Sequence, residues 1–112
     1  MKRYLHRWWQ RVSSLFGIHT RVYTYHHVRD FPEDWESYTV YLLGKPGREW
    51  LAGFSCPCGC KERIELVLSP AKHPCWRLEK RSGDKVTFSP SVWRSVGCRS
   101  HFFLRNGEII WC

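Results

Sequence analysis

The sequence predicts a mainly β fold, a small antiparallel sandwich or partial barrel. Three observations carry that prediction. Apolar residues fall in short runs rich in aromatic and β-branched side chains, with seven Trp, six Phe and five Tyr in 112 residues. Several runs alternate with a period of two: in "RIELVL", Ile64, Leu66 and Leu68 fall on one face and Glu65 and Val67 on the other. Turn formers separate the runs at hairpin spacing, in "GKPGR" at 44–48, "RSGD" at 81–84 and "RNG" at 105–107. A chain of this length makes one compact domain with a small core, which a metal staple would reinforce.

The first element departs from the β pattern. In "MKRYLHRWWQRVSSLFG" the apolar residues Tyr4, Leu5, Trp8, Trp9, Val12, Leu15 and Phe16 recur at spacings of three and four, with the charged residues between them. This predicts a basic amphipathic helix over 1–17, ended by Gly17. Its apolar stripe suits either the domain's own sheet, a partner's groove or a membrane surface. The remainder, 18–112, reads as a single β domain. "RVYTYHHV" at 21–28 is a strand, and the acidic, proline-bearing "RDFPEDWES" that follows is a loop. "YTVYLL", "EWLAGF", "RIELVL", "CWRLEK", "KVTF", "HFFL" and "EIIW" then follow as further short strands.

Eighteen Lys and Arg against ten Asp and Glu give a formal charge of +8, which suits an anionic partner. The excess gathers in the first 21 residues, where Lys2, Arg3, Arg7, Arg11 and Arg21 meet no acidic residue, so a nucleic-acid role for the whole domain is disfavoured. His6, Arg7, Gln10 and Arg11 interrupt the amino-terminal apolar residues, which argues against a signal peptide and a spanning helix. The expected location is a reducing cytoplasm, where clustered cysteines bind metal more often than they pair.

"CPCGC" places Cys56, Cys58 and Cys60 on a Pro- and Gly-containing loop between two strands, and Cys98 arrives from the loop before the last hairpin. Four thiolates around one ion form a closed structural zinc site, without which folding is expected to fail. A second arrangement takes two of the early cysteines with Cys98 and His101, and the sequence leaves that choice open. Cys75 and Cys112 read as free thiols. Further along, "FSPSVW" sets Ser89 and Ser91 around Pro90 at the end of a strand. A serine on a rigid turn becomes a nucleophile when an imidazole accepts its proton, and His101 is the nearest candidate. An ion pinning Cys98 would anchor both Ser91 and His101. Spacing alone supports this weakly, and no GxSxG elbow is present.

The ordered set "CPCGCKE", "IELVL", "CWRL", "VTFSPSVW" and "GCRSHFFLRNGEIIW" resembles, over about residues 36–112, a family of small bacterial proteins whose genes sit beside those of ubiquitin-like modifiers and conjugation enzymes. The resemblance implies a zinc-containing serine peptidase that trims the carboxy-terminal tail of a ubiquitin-like protein and removes the modifier from its conjugates. By motif it implies Ser91 as nucleophile, His101 as base, and Cys56, Cys58, Cys60 and Cys98 as metal ligands. This chain carries Lys61 where the family pattern often has glycine and Phe54 where it often has histidine. No orienting acid is singled out among Glu33, Asp34, Glu36, Glu62 and Asp84, and a Ser/His dyad suffices. Two other readings compete: a non-catalytic zinc module that binds protein or nucleic acid, and a metallopeptidase with His101 as a zinc ligand.

Overall fold

The computed structural model describes residues 22–94 and 97–112. The helix expected over 1–17 lies outside the described residues. Those described are mainly β, in nine strands: β1 Thr24–Val28, β2 Thr39–Leu43, β3 Leu51–Ser55, β4 Arg63–Val67, β5 Arg77–Arg81, β6 Lys85–Ser89, β7 Val92–Trp93, β8 His101–Arg105 and β9 Glu108–Trp111. They form a six-stranded sheet in the order β4-β3-β2-β1-β6-β5 and a three-stranded sheet in the order β7-β8-β9. Every run predicted to be a strand contains one. The two-residue β7 was not foreseen, because two residues carry no measurable period.

The larger sheet curls until its two edges meet. The Trp76 N–H, just before β5, donates to the Val67 carbonyl at the end of β4 at 2.8 Å. β4 shows the alternation read from its sequence: Ile64 and Leu66 are buried while Arg63 and Glu65 are exposed. The core lies between the two sheets. Phe54 of β3, Phe88 of β6 and Phe102 of β8 are each at most 1% exposed, and the Phe54 ring packs at 6.1 Å on Phe88, 6.3 Å on Phe102 and 5.6 Å on Tyr23. Truncating such a ring to Ala removes roughly 3–5 kcal/mol.

One expectation is corrected. The sheet is not wholly antiparallel, since β1 and β2 pair in parallel from Thr24↔Thr39 to Val28↔Leu43. Parallel neighbours need a connection that crosses the sheet instead of a tight turn, and the segment 29–38 makes one. Phe31 and Trp35 lie over Gly53 of β3, so close that a Cβ there would stand 2.6 Å from the Trp35 ring and 2.8 Å from that of Phe31. Trp35 also packs on Tyr41, which explains why β2 is buried along its whole length. The aromatic content of the acidic loop is therefore a lid on the outer face of the sheet.

The small sheet is held by its own hairpin turn. Asn106 and Gly107 both have positive φ, 49° and 79°, the pairing that a two-residue hairpin with the right twist requires. The Gly107 N–H donates to Val86 of β6 and its carbonyl accepts from Tyr23, just before β1. The turn thus fills the junction where β1 and β6 pair only through Thr24↔Lys85.

Candidate functional site

The "CPCGC" loop is the tip of the β3–β4 hairpin, closed by Ser55↔Arg63 pairing and by a bond from the Cys56 N–H to the Glu62 carbonyl. Cys98 lies on the loop joining β7 to β8, closed by the Arg94 N–H on the Ser100 carbonyl at 2.9 Å. The two tips meet. Cys56 Sγ lies 3.4 Å from Cys58 Sγ and 3.6 Å from Cys98 Sγ, and the sulfurs of Cys56, Cys58, Cys60 and Cys98 all fall within 4.8 Å of one another. A disulfide would need about 2.05 Å, whereas four thiolates about 2.3 Å from a tetrahedral ion sit about 3.8 Å apart. The cluster therefore fits a metal ion.

The surroundings shift two of these thiols in opposite directions. Cys56 is 4% exposed, and burial pushes its thiol up to about 12, so its thiolate needs a nearby cation. At Cys98 the Ser100 hydroxyl, followed by the Ser100 backbone, holds the thiol down to about 6. Ser100 is itself buried, with its Oγ 3.2 Å from Cys98 Sγ and 3.6 Å from Cys56 Sγ. Its support of the sulfurs was not foreseen, although it stands in the quoted "CRSH" string. Lys61, at the position where the family pattern has glycine, has a φ of 64°, the left-handed region glycine favours. Phe54, at the position of the pattern's histidine, is buried in the core against Phe88 and Phe102.

Ser91 and His101 are brought together on the stems of the same loop. Ser91 follows the cis Ser89–Pro90 peptide and directly precedes β7, while His101 opens β8. Their side chains meet with Ser91 Oγ 3.0 Å from His101 Nε2. With the imidazole proton on Nδ1, Nε2 accepts the Ser91 O–H. Two tryptophans frame the pair. The Trp93 ring stacks on His101 with centroids 5.2 Å apart and planes at 20°, and the Trp76 indole N–H donates to the Ser91 carbonyl at 3.3 Å. Ser91 and Trp93 share a face because side chains alternate along a strand. Among the described residues no carboxylate hydrogen-bonds the His101 ring. Glu62 instead stands 3.9 Å from Arg94, and the Glu33 carbonyl accepts from Arg63.

His101 is not part of the sulfur cluster, and its Nε2 lies against Ser91. Among the described residues no helix is long and apolar enough to cross a membrane. No curated protein and no solved structure matches the chain. The model of one protein family does, over residues 27–112, which extends the resemblance through the crossing segment into β1. That family is described as the serine proteases of the bacterial ubiquitination-like system, BubE, and the chain belongs to it.

Proposed function

We propose that this chain is a Ser/His peptidase that cleaves the carboxy-terminal tail of a ubiquitin-like protein and, through the same chemistry, releases the modifier from its conjugates. The observation that carries the reading is the 3.0 Å contact between Ser91 Oγ and His101 Nε2, within the reach a general base needs. His101 removes the hydroxyl proton as Ser91 attacks the carbonyl carbon of the scissile bond. The imidazolium then protonates the departing amine, leaving an acyl-enzyme that water clears by the same steps. With no carboxylate on the ring among the described residues, the imidazole is positioned by Trp93 stacking and by its place at the start of β8. This makes the pair a dyad.

Zinc on Cys56, Cys58, Cys60 and Cys98 would supply no step of the reaction. It would pin the β7–β8 loop to the β3–β4 tip, and so fix the two stems that carry the pair. Four sulfurs would fill the shell of a tetrahedral ion and leave no position for a reactive water. That favours the serine mechanism over the metallopeptidase with His101 as ligand.

The test is to incubate a ubiquitin-like precursor of the same bacterial system with wild type, Ser91→Ala and His101→Ala, following intact mass and metal content. Tail loss with wild type alone, and equal zinc in all three proteins, supports the reading. Cleavage by Ser91→Ala, or loss of zinc from His101→Ala, overturns it. No cleavage by any of the three would favour the non-catalytic zinc module.

A further inference from the structure

β7 is an edge strand, and its pairing fixes which backbone groups face away from the sheet. Val92 stands opposite Phe102 and Trp93 opposite His101. Beyond them the Arg94 N–H donates to the Ser100 carbonyl. Antiparallel partners alternate between pairs that exchange hydrogen bonds and pairs that do not. Positions 92 and 94 therefore bond to β8, and the N–H and carbonyl of Trp93 point outward. Among the described residues neither has a partner. Ser91, two residues earlier, has the same backbone orientation, and there the Trp76 indole already caps the carbonyl. The side chains divide likewise: Val92 and Phe102 are buried in the core, while Trp93 is 70% exposed on the face that carries Ser91 and His101.

We propose that the free edge of β7 at Trp93 is the rail on which the substrate tail lies, as an added strand antiparallel to β7. This rests on the peptidase reading above. A tail paired with the Trp93 backbone has a residue opposite Ser91 two positions nearer its carboxy terminus, so strand pairing delivers a carbonyl to the nucleophile. The antiparallel sense follows from the substrate. The chain upstream of a cut near a carboxy terminus is always long enough to pair, whereas the chain downstream is not. The Trp76 indole closes the edge at Ser91, so pairing ends where the bond is cut. The tail residue paired with Trp93 carries its side chain on the face that bears the Trp93 indole and His101. Backbone groups supply the affinity.

Two measurements test this. Ten-residue peptides of the tail of a ubiquitin-like protein from the same system, each N-methylated at one amide, are titrated against Ser91→Ala and offered to wild type. The expected result is an alternating pattern, with binding reduced roughly tenfold at the residue paired with Trp93 and much less at its neighbours. In parallel, Trp93→Ala and Trp93→Pro both lose the indole, but only the proline loses the outward N–H, and proline is tolerated at edge positions. The proline variant is expected to have the higher KM for the unmodified peptide. A flat N-methyl scan with equal KM for the two variants overturns the edge, while cleavage by wild type leaves the peptidase reading standing. Absence of any cleavage, with the alternating pattern intact on Ser91→Ala, would overturn the peptidase reading and keep the edge as a peptide-binding site.

Discussion

Replacing Ser100 with alanine tests how the cysteine cluster is supported. The Ser100 hydroxyl is buried 3.2 Å from Cys98 Sγ and 3.6 Å from Cys56 Sγ. It carries one proton, so with both sulfurs as thiolates it donates to one of them at a time, and the shorter contact marks Cys98. Removing a hydrogen-bonded support of this kind lowers metal affinity roughly 10–100-fold. Each factor of ten is about 1.4 kcal/mol of metal-linked stability, and 1 kcal/mol shifts Tm by roughly 4–8 °C in a domain near this size. The holoprotein of Ser100→Ala should therefore melt at least about 6 °C below wild type at equal free zinc. Competition with a chromogenic chelator at neutral pH measures the affinity directly. A zinc affinity within threefold of wild type would refute the argument, because the hydroxyl would then be a bystander to the sulfurs.

Three further outcomes are expected. Gly53→Ala should destabilise the fold by roughly 1–3 kcal/mol in urea titrations, because its Cβ would enter the Phe31 and Trp35 rings. Trp35→Leu in the same chain should recover part of that loss. Lys61→Gly should stabilise the metal-loaded protein by up to roughly 1 kcal/mol by thermal melting, since it relieves a left-handed conformation. Burial pushes the Glu49 carboxyl up, but hydrogen bonds from Lys80 and His27 outweigh it and hold the group down to about 2, against 4.5 unperturbed. A depressed folded value gives stability that is present above pH 4.5 and lost as pH falls toward 2. Glu49→Gln should then destabilise by roughly 2–3 kcal/mol at pH 7 and by less than half as much at pH 3.

The strands were legible because their information is local. Ile64 and Leu66 declare a buried face by alternation, and Asn106–Gly107 declares a hairpin by conformational preference alone. The parallel pairing of β1 with β2 was not legible, because it depends on Phe31 and Trp35 finding Gly53 some twenty residues downstream. No period or turn signal encodes that contact. The cysteine cluster could be read because three thiols in five residues have few other uses, and the structure closes the set with Cys98. Ser91 and His101 were named chiefly through the family resemblance, since ten residues of separation say nothing about a 3.0 Å contact. The supporting residues Ser100, Trp76 and Trp93 were missed for a related reason. Trp76 and Trp93 act through neighbours that strand pairing brings close, and Ser100 reaches Cys98 through the conformation of their shared loop.

The most direct test of the account is covalent labelling of zinc-loaded protein with a fluorophosphonate, followed by peptide mapping and by rate comparison among wild type, His101→Ala and Ser91→Ala. This needs no knowledge of the natural substrate. The account predicts one modification, at Ser91, absent from Ser91→Ala and slowed roughly 100-fold or more in His101→Ala, as expected when a general base is lost. Labelling at another serine, or an undiminished rate in His101→Ala with its zinc intact, would contradict the claim that this pair is the catalytic centre.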